Sequence, residues 1–155
     1  MIINKNPLMK GFTDYEIAYI AEILDGEGHV TFNTTDTGNR RKVNYTNVIV
    51  GIANTDQNLM NFLNRIPNAH FYTTISKNTK CKPVHNFYIA SCKDVQHFLK
   101  AVYPYLIIKK NRARKAIKFL ESQLQLLPES RPIYARFWHM GFFYIWDWMY
   151  GEYNW

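Results

Sequence analysis

The chain has 155 residues, 47% of them apolar, which is enough to build the core of one domain. Its net charge of +7 suits a polyanionic partner. Two cysteines, Cys81 and Cys92, are too few for a disulfide framework and lack zinc-ligand spacing, which fits a reducing intracellular compartment. An organelle and a phage or bacterial cytoplasm fit equally. The opening MIINKNPLMKGF has no apolar run of the secretory kind, and no uncharged apolar stretch reaches the ~20 residues that span a membrane.

Thr13 and Glu16 have the spacing of a capping box and predict a helix from Asp14. That helix carries Ile17, Ala18, Tyr19, Ile20, Ala21, Ile23 and Leu24 around most of its circumference, so both flanks call for cover. It stops at Gly26 or Gly28. Alternation then replaces the helical period: His29, Thr31 and Asn33 share one strand face, with Val30 and Phe32 on the other. A turn at 36–39 leads through Arg40, Arg41 and Lys42 into a second strand ending near Ala53. Asn54, Thr55 and Asp56 open a helix that Pro67 and Asn68 end. In the next strand His70, Tyr72, Thr74 and Ser76 alternate with Phe71, Thr73 and Ile75. A basic link from Lys77 to Lys82 precedes the return strand from Val84 to Ser91.

Ser91 caps a short helix running through Leu99, Tyr103 and Pro104 break it, and a longer helix from Lys110 to Leu126 closes the unit. The expected fold is an α+β domain over residues 1–127 with one four-stranded antiparallel sheet and no internal repeat. Residues 128–155 form an aromatic-rich extension holding all four tryptophans. Its near-helical spacing assigns it to packing against the domain, with a partner-protein surface or a platform for unpaired bases as alternatives.

The stretch Ile20-Ala21-Glu22-Ile23-Leu24-Asp25-Gly26-Glu27-Gly28 stands out physically. A helix C-terminus carries partial negative charge and disfavours acids, so Asp25 and Glu27 require something positive nearby. A divalent cation is one candidate, magnesium rather than zinc for hard oxygen ligands. A plain polar turn between helix and strand is the other reading.

These nine residues resemble the LAGLIDADG motif without a gap, with Glu27 at the last acid. Asn54, Thr55 and Asp56 fall where that family ends its second strand. The run Tyr103-Pro104-Tyr105-Leu106-Ile107-Ile108-Lys109-Lys110, followed by Ala113, Ala116 and Phe119-Leu120-Glu121, resembles its second block. The resemblance spans residues 13 to 127 and implies the αββαββα fold with a saddle-shaped sheet, the fold of the LAGLIDADG homing endonucleases. It implies a homodimer whose paired helices carry metal at their base, and a concave sheet reading a long, near-palindromic DNA duplex. It also implies intron homing through magnesium-dependent hydrolysis of each strand, with manganese substituting and calcium supporting binding alone.

Carried over by position, Glu27 is the metal ligand, joined by the Gly26 carbonyl. Lys109 stands near the scissile phosphate and Asn54 orders the attacking water. Their ordinary readings are a solvated lysine and a helix N-cap. Ala18, Ala21, Glu22 and Asp25 line the dimer interface, and in the family Asp25's position is more often a cap or bridge at the helix end. The third motif position, glycine in the family, is Glu22 here, and a carboxylate at a tight crossing must be paired, protonated or displaced to the rim.

The DNA-reading candidates are His29, Thr31, Asn33, Arg40, Arg41, Lys42, Asn44, Thr46, Tyr72, Thr74, Ser76, Lys77, Asn78, Lys80 and Lys82. Lys110 and Arg112 join them from a basic cluster that continues through Arg114, Lys115 and Lys118. A solvated polar face is the alternative for the strands. A nucleic-acid binder that does not cut, either an RNA maturase for intron splicing or a repressor-like DNA binder, is the competing function.

Overall fold

The structure is a computed structural model that describes residues 6–36, 44–77 and 80–125. Arg40, Arg41, Lys42, Asn78 and the extension 128–155 lie outside the described residues. The elements are α1 (Asp14–Glu27), β1 (Gly28–Asp36), β2 (Asn44–Asn54), α2 (Gln57–Leu63), β3 (His70–Thr74), β4 (Val84–Ile89), α3 (Cys92–Val102) and α4 (Lys110–Gln125), with one turn of 3-10 helix at Tyr103–Tyr105. The strands form one antiparallel sheet in the order β1-β2-β4-β3. The expected α+β architecture is the one observed.

The capping box forms as its spacing predicts: the Thr13 hydroxyl accepts from the Glu16 amide at 3.3 Å, and the Glu16 carboxylate accepts from the Thr13 amide at 2.8 Å. The same carboxylate pairs with Arg65, whose guanidinium lies 4.4 Å from the centre of the Phe12 ring. Hydrogen bonding from Arg65 and from the Thr13 backbone holds the Glu16 carboxyl below its ordinary value. The start of α1 is thereby tied to the residue pair that follows α2.

One sheet face is apolar. Val30, Val48, Val50, Ile52, Phe87 and Ile89 lie buried beneath Ile17, Ile20, Ala21 and Leu24 of α1, Val95, Phe98 and Leu99 of α3, and Ala113, Ala116 and Leu120 of α4. Leu8, Met9 and Phe12 complete this core, anchored where the Asn6 amide donates to the His97 carbonyl at 2.6 Å. Only one flank of α1 is covered: Tyr15 is 89% and Tyr19 50% exposed. Tyr15, Ala18, Tyr19, Glu22 and Gly26 fall at helical spacing on that uncovered stripe.

The junction of α1 and β1 has no loop; Glu27 ends the helix and Gly28 begins the strand. A β-carbon on Gly28 would lie 2.9 Å from both the Cα and the carbonyl oxygen of Leu24. Gly28→Ala should therefore lower stability by about 1–3 kcal/mol through overpacking. Urea denaturation checks this, and an unchanged midpoint would contradict the close approach.

Candidate functional site

The foot of α1 meets the entry to α4. Asp25 Oδ2 accepts from the amides of Ile107 (2.6 Å) and Ile108 (3.0 Å), and Oδ1 accepts from the amide of Lys109 (2.8 Å). Lys109 Nζ donates in turn to the Asp25 carbonyl at 2.5 Å. The positive partner that Asp25 requires thus comes from the amides of the turn that leads into α4 and from the Lys109 ammonium, all within the chain. Burial raises the Asp25 carboxyl pKa, but the three amides and the Lys109 charge outweigh it and leave the group below its ordinary value. Asp25 thus ties the foot of α1 to the turn that leads into α4, and its carboxylate is engaged within its own subunit.

Two residues on, Glu27 is exposed and accepts from the Asn54 side-chain amide. Asn54 Oδ1 accepts from the Asp56 amide at 2.7 Å, and Asp56 caps α2 through Asn58 and Leu59. Asn54 is therefore not the helix cap, which is Asp56. The turn that Asn54 makes with Asp56 sets its side chain beside Glu27. The three expected chemical residues converge: Glu27 touches Asn54, and Lys109 is bonded to the carbonyl two residues before Glu27. The available donors, the Glu27 carboxylate and the exposed Gly26 backbone, are hard oxygens of the kind magnesium takes. Among the described residues no group of three metal-ligating side chains forms, so one copy offers only part of a coordination shell.

Of the positions expected to meet a second helix, Ala18 and Glu22 lie on the uncovered stripe, while Ala21 is fully buried on the inner face of α1 and packs in its own core. The register sorts the sheet candidates. His29, Thr31 and Asn33 stand opposite Gly51, Ile49 and Asn47, on the face away from the helices; Tyr72 and Thr74 share that face from β3. Gly51 makes room for the His29 imidazole, which a β-carbon there would meet. Thr46 stands opposite Thr34 on the other face, its hydroxyl 3.0 Å from that of Thr34. Asn44 pairs with Asp36 at the far end of the hairpin. Ser76, Lys77, Lys80 and Lys82 are exposed between β3 and β4.

Arg112 donates from Nε to the Val30 carbonyl, holding α4 along the edge of β1, so at least that nitrogen is committed to the fold. Lys110 Nζ lies 5.4 Å from the centre of the Tyr103 ring. Three residues of the open face, Asn47, Asn86 and Tyr88, escaped the sequence reading. Asn47 donates to the Ala90 carbonyl at 3.4 Å, and Asn86 to the Thr74 hydroxyl at 3.2 Å. His70 stacks on Tyr88 with ring centres 4.9 Å apart. Extending the two-residue period through β2 and β4 would have found them.

Asp25→Ala removes an acceptor shared by three amides and should cost about 1–3 kcal/mol at neutral pH. Because the folded-state pKa is depressed, the native carboxylate stabilises the fold above the unfolded value of about 3.9, and this is lost as pH falls through the folded value. Urea melts at pH 7 and in strong acid should therefore show the gap between wild type and variant narrowing on acidification. A gap independent of pH would contradict the charged contact.

No protein-family model and no curated protein sequence matches the chain. Solved structures do. The chain is similar to the homing endonuclease I-CvuI in complex with the I-CreI target, at TM-score 0.53 and 14% identity over 69% of this chain and 66% of that one. It is similar to the archaeal intron-encoded homing endonuclease I-Vdi141I complexed with DNA, at TM-score 0.59 and 11% identity over 73% of this chain and 71% of that one. It is also similar to the LAGLIDADG homing endonuclease I-LtrWI bound to target DNA, at TM-score 0.56 and 13% identity, covering 74% of this chain and 40% of that one. The motif at the end of α1, the four-stranded antiparallel sheet and these likenesses agree: the chain has the fold of the LAGLIDADG homing endonucleases.

Proposed function

We propose that the chain is a site-specific DNA endonuclease of the homing type, which binds a long, near-palindromic duplex as a homodimer and hydrolyses one phosphodiester in each strand with magnesium. The observation that carries this reading is the convergence of Glu27, Asn54 and Lys109 at the foot of a helix whose outer stripe is uncovered. The DNA-bound homing endonucleases that share the fold support it.

Two copies joined along the stripe of Tyr15, Ala18, Tyr19, Glu22 and Gly26 bring two Glu27 carboxylates to one place and complete the donor set that a single copy lacks. Magnesium bound there would stabilise the attacking and leaving oxygens of an in-line displacement. Asn54 fixes the Glu27 carboxylate, and the lone pair of its side-chain oxygen that Asp56 leaves open helps order the attacking water. Lys109, held against the Asp25 carbonyl, offsets negative charge developing on the phosphate. His29, Thr31, Asn33, Tyr72 and Thr74 face the major groove from the open side of the sheet, and the lysines between β3 and β4 meet phosphates.

Glu27→Gln should slow duplex cleavage by at least about a hundredfold while binding stays within about threefold. Gel-shift and single-turnover cleavage assays check this, and joint loss of both would make Glu27 a structural acid. The stripe carries Glu22 and no basic residue, so the two Glu22 side chains meet as like charges in a symmetric pair. Sedimentation equilibrium should show a dimer that Glu22→Gln tightens. A monomer with and without duplex would contradict the paired-helix site.

A further inference from the structure

The polar row that begins at Glu27 does not end at Asn54. His85 stands directly opposite Asn54 in the pairing of β2 with β4, and Thr73 stands opposite His85 in the pairing of β4 with β3. Directly opposed residues of an antiparallel pair have β-carbons about 4.5–5.5 Å apart. The Thr73 hydroxyl is 2.9 Å from His85 Nδ1. With Nδ1 given to Thr73, the other ring nitrogen, Nε2, has no hydrogen-bond partner among the described residues. Farther along the same face of β4, Phe87 and Ile89 are buried core residues, whereas His85 is half-buried and lines a shallow cleft with Gln57, Met60 and Phe71. The charged groups nearest along these elements are Glu27, beyond Asn54, and Asp56 at the start of α2.

We propose that His85 is a positioning residue of the cleavage centre, its imidazole fixing the Asn54 amide that holds Glu27. This rests on the cleavage reading above. The Asn54 amide has two N–H groups; one is given to Glu27, and its oxygen accepts from the Asp56 amide. An imidazole whose Nδ1–H donates to Thr73 keeps Nε2 as an acceptor, the complement of the second Asn54 N–H.

The test compares full-length wild type with His85→Ala, His85→Gln and Thr73→Val on the duplex that wild type cuts. His85→Ala should slow single-turnover cleavage about tenfold to a hundredfold, the range for residues that orient a ligand group. Its Kd for duplex should stay within about threefold. His85→Gln, whose side-chain carbonyl can accept the same N–H, should recover most of the rate, and Thr73→Val should lose part of it. Wild-type cleavage by His85→Ala, or equal loss of binding and cleavage, would overturn the proposal. NMR of the Asn54 side-chain amide supplies a readout that needs no activity. Its signal should move in His85→Ala and lie near its wild-type position in His85→Gln, and a signal unmoved in His85→Ala would also overturn the proposal. If wild type cuts nothing, the endonuclease reading fails, while the NMR comparison of wild type with the His85 variants still decides the contact between His85 and Asn54.

Discussion

A carboxylate at the end of a helix sits against the negative end of that helix's dipole and needs donors from elsewhere in the chain. Asp25 finds those donors in the turn that leads into α4, accepting from the amides of Ile107, Ile108 and Lys109 across more than eighty residues of sequence. The contact fixes where α4 starts relative to the foot of α1. It brings Lys109 to the Asp25 carbonyl, and Glu27 follows two residues later beside Asn54. Arg112, one turn into α4, then reaches the Val30 carbonyl and lays the helix along β1. That contact is what sets the lysine and the acid in one frame.

Two surfaces meet at that frame. One is the open face of the sheet, with polar side chains on β1 and a cluster of His70, Tyr72 and Tyr88 on β3 and β4. The other is the uncovered flank of α1, aromatic at its start and reaching Gly26 beside the chemical residues. Tyr15 and Tyr19 stand exposed on a helix whose inner flank already fills the core, and a stripe of this kind would gain by burial against a second surface. Glu22 in its middle makes that gain sensitive to what faces it.

Local signals carried much of this architecture. Thr13 and Glu16 marked the start of α1, the change of period after Gly28 marked β1, and the nonamer marked Glu27 through its resemblance to a known motif. What tertiary contact decides was harder to read. The need for a positive partner at Asp25 followed from the helix dipole, but a cation was one answer considered, and the actual partner is a set of amides distant in sequence. Ala21 was assigned to the outer stripe although its spacing from Ile17 and Leu24 places it with the core. Thr46 was assigned to the open face because its strand had been read for polarity without its register, which pairs it with Thr34. Arg112 was read as a phosphate contact, since nothing in a charge run distinguishes a solvated guanidinium from one bonded to a strand edge. Leu8 and Met9 lie in a short segment with no period to read, and only packing reveals them as core.

The central claim is that the cluster at the foot of α1 cuts duplex DNA. Its most direct measurement is a cleavage selection from a randomised duplex library in magnesium, run with wild type and with Glu27→Gln. The account predicts recovery of a long, near-palindromic site cut by wild type and left whole by the variant. Enrichment of duplex that is bound but never cut, or no enrichment at all, would contradict it.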